Sequence, residues 1–422
     1  MIKKLFIELN EITYEFCKEY DDNFYFLEEL FKTKSIFGFN LLTRSDGTRE
    51  GIDLDPWVEW VTIHCGKPFS VHKIKSLGAG KNCKYKMAWD IWEEKSNSYS
   101  IWNVFNAYLK KRNNCKTYLP DPWASSIPKP NLLRILLTPT TVLARKYTGL
   151  NIFFKIFYGA ISSLFFLPII VFKIKILTKM FLKYGLKHLS FSDFYIVYEY
   201  LLANAGLCLN KFLKTDNVVI GTNLVAHAQH HFWNDKKKAN SCYRSLYLAN
   251  DLLRTSYKNF RSKYQIFILN SISQKCIAKL DEYDYLPKFG HQRLFEEIGI
   301  DYKNVFPNMS NDGYLKFKSK SQMIRAYKIL SNLNVFGENL FTLNSRDNLT
   351  LEYYLSFRAR VDLGALVTGL NKKLFFYDLF KNNGKRTGSH HPNGFIVVPS
   401  ELVSEEILQP IPNQKLVKFF TN

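Results

Sequence analysis

Apolar positions in this chain fall into short unbroken runs, and between the runs they recur at helical spacing. Lys4–Leu9, Asn217–Asn223 and Tyr264–Asn270 are runs of aliphatic and β-branched residues, and each predicts a buried strand. Another strand precedes Asn103–Ala107, Val335–Asn344 and Leu374–Tyr377 suggest more, and Phe395–Val398 reads as the last. Asp55–Pro68 has a different pattern. Asp55 before Pro56 is a helix start, an N-cap followed by proline at the first helical position. Trp57, Trp60, Val61 and His64 then fall at helical spacing, and Gly66 with Pro68 stops the helix. Leu119–Ala124, with two prolines and a tryptophan, reads as a rigid loop. Strands alternating with helices predict an α/β fold, a central sheet with helices on both faces.

Residues 130–215 differ in texture. Ile156–Phe172 carries no charge, Lys155 precedes it, and Lys173, Lys175, Lys179 and Lys183 follow. A bilayer crossing takes about 20 apolar residues, and Pro168 interrupts this shorter run. A crossing would also put Lys4–Leu9 and Asn217–Asn223 on opposite sides of a membrane, although both are expected in one sheet. The segment reads as a helical insertion that packs on the core, or as one that dips into an anionic membrane surface with lysines at the headgroups. The expected division is 1–129 as the first half of the core, 130–215 as the insertion, and 216–422 as the second half.

Composition narrows the partners. Hydrophobic residues make up 46% of the 422, enough for a large core. Lys and Arg number 58 against 37 Asp and Glu, a net charge of +21, which favours phosphate groups, anionic lipid, nucleic acid or anionic glycans. Zinc-finger, Arg-rich and RNA-binding aromatic motifs are missing, so nucleic acid ranks low. The seven cysteines are scattered without a CxxC, which fits a reduced, cytoplasmic setting. Glu8 and Glu11 break the N-terminal apolar run before it could serve as a signal peptide.

The histidines carry the candidate chemistry. His227, His230 and His231 follow the strand Asn217–Asn223, at the strand end where open α/β sheets bind ligands. On a helix His227 and His231 share a face and can reach one metal ion, while His230 would point away. His390 and His391 enter the last strand. Asn10 and Glu11 end the first strand, where an oxygen ligand would be useful; Asn10 reads equally well as a helix N-cap before Ile12–Tyr20. The helix opening at Asp55 offers free N–H groups to an anion. Ser273 and Gln274 follow the strand Tyr264–Asn270 as polar residues of a site loop.

This order of parts resembles the alkaline phosphatase superfamily, in its phosphodiesterase and nucleotide-pyrophosphatase branch, and looks closest to alkaline-phosphatase-like proteins found with bacterial surface-polysaccharide genes. The matching pieces are Glu8–Glu11, Asp55–Trp60 leading to His64–Gly66 and His72, Pro120–Trp123, His227–Trp233, Ser271–Gln274 and His390–Gly394. The resemblance implies metal ions at the C-terminal edge of the sheet. It assigns His227, His231 and His390 or His391 to one divalent ion, for which three imidazoles suit Zn²⁺. The chain departs from the pattern elsewhere. Asn10 or Glu11 stands where the family has an Asp, Ser273–Gln274 stands for an Asp-His pair, and Asp55, Pro56 or Trp57 stands for the Thr or Ser nucleophile; Thr62 is the nearest hydroxyl. One ion is therefore expected rather than two. Asp55, Thr62, Asn10 and Glu11 are the candidate catalytic residues, with Trp57, His64, His72, Ser273 and Gln274 as substrate contacts. Three readings follow: a hydrolase or transferase acting on a phosphate ester or phosphodiester, glycan- or lipid-linked; a relative that binds a phosphorylated sugar or lipid without turnover; and a membrane-surface assembly protein with structural histidines. The expected location is cytoplasmic, or peripheral on the inner face of the membrane.

Overall fold

The computed structural model of the chain describes residues 2–46, 54–136, 152–186, 189, 191–235, 239–308, 311–370, 372–403 and 410–422, with backbone alone for 152–166 and 191. Its contacts divide it into two compact units, Met1–Cys276 with Gly388–Asn422, and Ile277–Thr387. This differs from the division expected from the sequence. The described residues of 130–215 belong to the first unit, and the second unit interrupts what reads as the second half of the core.

The first unit is built on one large sheet. Its strands are β1 (Lys3–Leu9), β2 (Lys34–Ser35), β3 (Gly38–Arg44), β4 (Tyr99–Val104), β5 (Cys115–Pro120), β6 (Asn217–Thr222), β7 (Tyr264–Asn270), β10 (Asn393–Val398) and β11 (Ile411–Pro412), while β8 (Ser273–Cys276) and β9 (Gly388–His391) form a separate antiparallel ribbon. The sheet order is β2-β3-β10-β7-β1-β6-β4-β5, with β11 beside β3. The strands β7, β1, β6, β4 and β5 run parallel, and β10 pairs antiparallel with both β7 and β3. The strand before the 130–215 region therefore lies in one sheet with the strand after it.

β1 is buried on both faces. Leu5, Ile7 and Leu9 join one core cluster, and Phe6 joins the other, against Trp60, Trp92 and Phe420. Such strands read as unbroken apolar runs because helices cover both sides. On the Phe6 side lies α1 (Pro56–Cys65), whose ten residues are all buried. Asp55 and Pro56 open α1, and Gly66, at φ 65°, closes it. On the other side lie α2 (Ile152–Tyr184), α3 (Phe191–Leu213) and α5 (Ala239–Phe260); α4 (Ala226–Phe232) follows β6. α3 packs directly on the sheet. A Cβ on Gly206 would come within 2.9 Å of both Ile220 and Trp102, so only glycine permits that approach. Among the described residues no helix is long and apolar enough to cross a membrane.

The second unit has its own core, which includes Tyr285, Phe295, Leu315, Leu351, Phe376 and Phe380. It holds the antiparallel strands Asn304–Pro307, Asp312–Lys316, Thr350–Leu355 and Phe341–Asp347. The expected strand Val335–Asn344 is broken here. Phe336 and Gly337 take φ 55° and 82°, a tight turn that folds Asn334–Val335 back on Glu338–Asn339. Leu374–Tyr377 likewise is a two-residue strand followed by the helix Phe376–Leu379.

Candidate metal centre

The first strand delivers the site. Glu8, Asn10 and Glu11 are all nearly inaccessible at its C-terminal end. Glu11 takes φ 62°, a left-handed turn that carries the chain off the sheet, and it bridges to Ser273. Gln229 of α4 donates to the Glu11 carbonyl at 3.2 Å. Gln274 donates to the Glu11 carboxylate and to the Ala226 carbonyl. β1, α4 and the β8–β9 ribbon are thereby tied at one point.

Three donors converge there. His230 Nε2 lies 2.9 Å from Glu11 Oε2, and His390 Nε2 lies 3.3 Å from the same oxygen. One ligand atom from each of Glu11, His230 and His390 lies within 4.8 Å of the others. Atoms that ligate one zinc-sized ion at about 2.0–2.2 Å sit roughly 3–4 Å apart, so a small closure completes the set. His230 Nδ1 faces the Gly388 carbonyl at 3.3 Å. A carbonyl only accepts, so Nδ1 carries the proton, and in the neutral ring Nε2 turns its lone pair towards the Glu11 oxygen. Two lone pairs in contact repel unless a proton or a cation lies between them. A ring that donates one N–H to a backbone carbonyl and aims the other nitrogen at a carboxylate is oriented as metal-ligating histidines are. The donor chemistry, two imidazoles and a carboxylate, suits a divalent transition ion. Burial opposes ionisation of Glu11, yet His390 and His230 outweigh it and hold the carboxyl well below the usual range.

Which histidines meet Glu11 differs from the sequence expectation. His227 and His231 do share a face, with ring centroids 4.8 Å apart, but His227 Nε2 contacts Ser192 Oγ of α3 at 2.9 Å. The face that meets β1 carries Gln229 and His230. Helical spacing says which residues lie together, and the packing of α4 decides which of them face the sheet. The β9 pair divides by the alternation of a strand. His390 contacts Glu11, while His391 Nδ1 accepts from the Asn393 backbone N–H at 3.4 Å.

Asn10 is a positioning residue. Its amide donates to Glu11 Oε1 at 3.0 Å and to Asn223 Oδ1 at 2.8 Å, and its oxygen accepts from Trp60 Nε1 at 3.2 Å. It does not cap the following helix. Thr13 does, accepting from the Phe16 N–H at 3.1 Å. Asn10, Glu8, Trp60, Asn103, Phe105, Gly221 and Thr222 line a small recess that is partly open to solvent.

Thr62 is not an activated hydroxyl. His72 Nδ1 accepts from the Ile74 N–H at 3.0 Å, so Nε2 carries the proton and donates to Thr62 Oγ1 at 3.1 Å. The hydroxyl in turn donates to the Val58 carbonyl at 3.4 Å. Burial, with Lys73 nearby, pushes His72 down to about 4, so the ring stays neutral and supports structure. His64 pairs with Glu8 at 2.7 Å inside a box of Trp60, Trp89 and Phe420. Trp57 is a wall: its indole donates to the Lys75 carbonyl at 3.1 Å, and its own carbonyl accepts from Asn106 at 3.0 Å. Asp55 is the buried N-cap of α1, one turn before buried Glu59.

Two site residues escape the sequence reading. Gly388 is one: a Cβ there would lie 2.1 Å from Gln274 Oε1 and 2.7 Å from the Gln229 carbonyl. Its bareness lets β9 approach α4 and brings His390 beside His230. The other is Glu199 of α3, 1% exposed at the ends of β4 and β6. It accepts from the Asn223 N–H at 3.0 Å, Asn103 Nδ2 at 3.0 Å and Thr222 Oγ1 at 3.3 Å. Burial raises its carboxyl, and these donors restrain the rise. An acid in the apolar middle of a helix, beyond the first-turn Asp193, is the signal that could have marked it.

No protein-family model and no curated protein matches the sequence. Solved structures are similar over nearly the whole chain. One is phosphonoacetate hydrolase from Sinorhizobium meliloti 1021 in complex with phosphonoformate, at 10% identity and a TM-score of 0.46, covering 100% of this chain and 95% of that one. Another is murine ectonucleotide pyrophosphatase/phosphodiesterase 5, at 7% identity and 0.48, covering 99% and 93%. A third is the alkaline phosphatase PafA, at 11% and 0.45, covering 98% and 94%. At such identities and TM-scores the likeness assigns no roles, and the roles of residues rest on this chain's own geometry.

Proposed function

We propose that the chain is a metal-dependent hydrolase or transferase of phosphate esters or phosphodiesters, with Glu11, His230 and His390 as the ligands of one divalent ion, Zn²⁺ by preference. The observation that carries this is the convergence of those three side chains at the C-terminal end of β1, in the parallel part of the sheet. A divalent ion held there would supply Lewis-acid polarisation of a phosphoryl oxygen. The chain's own residues do the rest. Asn10 and Gln274 fix the two oxygens of Glu11, and the Gly388 carbonyl fixes the tautomer of His230. The N–H groups expected to hold the anion at the start of α1 are not available for it: Pro56 has none, and those of Val58 and Glu59 donate to the Asp55 carbonyl at 3.0 and 3.2 Å; Asp55 or a water is the nucleophile. The substrate is a glycan- or lipid-linked phosphate of surface-polysaccharide metabolism, a reading supported by the family resemblance and by the net charge of +21.

A second reading, phosphate binding without turnover, is favoured by Thr62, whose hydroxyl is committed to Val58 and His72. Metal analysis and a turnover assay test both. Protein purified without chelator should carry about one equivalent of zinc, and His230→Ala and His390→Ala should each lose most of it, since an outer partner alone changes metal affinity about 10–100-fold. Hydrolysis of aryl phosphate mono- or diesters that disappears in both variants supports the enzyme; metal without hydrolysis supports the binder. Wild-type protein with no more metal than the variants would sink both.

A further inference from the structure

The outer face of α2 is built unlike that of a water-facing helix. Its inner stripe is settled: Met180 and Tyr184 are buried, Ile169, Ile176 and Leu177 pack on the core, and Lys173 reaches Asp251 at 2.7 Å and Thr255 at 2.8 Å. The opposite stripe should then be polar. Instead Leu167, Val171, Phe172, Ile174 and Leu182 are 54–80% exposed. Positions 167, 171, 174, 178 and 182 follow helical spacing, so Leu167, Val171, Ile174 and Leu182 share one face with Phe172 beside them, and Thr178 is the polar position along that line. The polar residues within it are Lys175, Thr178 and Lys179, and α2 has no acidic residue along its whole length.

We propose that this strip docks on an anionic bilayer surface, with α2 lying in the plane of the interface. A contiguous exposed apolar strip marks a binding surface. What covers it must be apolar where Phe172 and Leu182 meet it and negative around Lys175 and Lys179, a description that fits the headgroup–acyl boundary of anionic lipid. Lysines can lay their stems along the apolar strip and keep their charges at the headgroups. The helix does not cross: its inner stripe is committed to the core of its own unit, and the Lys173–Asp251 pair clasps it there. Docking does not depend on the metal ligands; it extends the reading of a lipid-linked substrate by keeping the protein at the surface where such a substrate lies.

The test is flotation of the full chain with phosphatidylglycerol-containing and pure phosphatidylcholine vesicles. Binding to the anionic vesicles is expected in 10 mM salt and is expected to fall at least about tenfold in 1 M salt, where the Debye length shrinks from roughly 30 to 3 Å. Phe172→Ser with Leu182→Ser should weaken binding at least about tenfold at low salt, because each removes a side chain worth that much in apolar transfer. Both positions are 80% exposed, so the double variant should fold and keep the metal content of the wild type. Absence of flotation at low salt overturns the proposal, as does binding that the double variant leaves unchanged. A wild-type dimer that the double variant converts to a monomer also overturns it, because a second copy would then be the occupant. Loss of metal in His230→Ala with flotation intact would separate the two readings.

Discussion

Glu59 shows what burial does to a single carboxyl at this sheet edge. It lies within α1, fully inaccessible, and accepts from Asn413 Nδ2 at 2.6 Å; that amide also donates to the Ser271 carbonyl at 2.7 Å. Burial pushes the carboxyl up to about 7, against the pull of Asn413 and with the help of Asp46 and Asp55. Between its ordinary value of 4.5 and about 7 the folded chain holds a proton that the unfolded chain has released. Stability from this group is therefore highest below 4.5, falls as pH rises, and levels off above about 7. At about 1.4 kcal/mol per pH unit the loss is on the order of 3 kcal/mol. Glu59→Gln should remove it: urea unfolding at pH 5 and pH 8 should give a difference smaller by about that amount than in the wild type. An unchanged difference would put the proton elsewhere. Sequence reading reached part of this neighbourhood. Asp55 and Glu11 stand out as polar residues at element ends, but Glu59 is hidden among tryptophans. The histidines tell the same story. Spacing pairs His227 with His231, and only the packing of α4 on β1 selects His230.

Elements were more legible than contacts. β1, β6 and β7 are readable because a strand covered on both faces has to be an unbroken apolar run, and α1 because Asp55, Pro56 and Gly66 mark both ends. The β8–β9 ribbon was not, since its four-residue strands are mostly polar and pair across a long sequence separation. Its position depends on the missing side chain of Gly388. Gly388→Ala would press a methyl group within 2.1 Å of Gln274 and 2.7 Å of the α4 backbone. The Gln274 end can swing, at the expense of its bond to Glu11, but the Gln229 carbonyl cannot. We expect a stability loss of about 1–3 kcal/mol, as for overpacking, and metal affinity reduced by more than about tenfold, because His390 moves with β9. Zinc titration of the purified variant against a fluorescent chelator reads this. Wild-type affinity in a folded Gly388→Ala variant would mean that His390 is not a ligand.

At the scale of the whole molecule, the chain leaves the first unit at Cys276 and returns at Gly388, and those two residues face each other in the ribbon register. Opposed antiparallel residues have Cα atoms about 4.5–5.5 Å apart, so everything between them enters and leaves through one gap. Each unit also keeps its own core. Among the described residues, the two clusters around the large sheet contain none of Ile277–Thr387, and the third cluster contains none from outside it. This arrangement was invisible in sequence, because a segment of short strands and helices inserted at a ribbon continues the α/β texture on either side. It has a consequence for the site. Glu11, His230 and His390 all belong to the first unit, so replacing Ile277–Thr387 by Asn-Gly, the dipeptide suited to a two-residue hairpin turn, should leave the ligands in place. The shortened protein is expected to fold cooperatively, by urea unfolding followed through tryptophan fluorescence. It should bind zinc within about threefold of the full chain, a difference of less than about 1 kcal/mol. A shortened protein that folds but loses the metal would show that Glu11, His230 and His390 do not by themselves make up the ligand set.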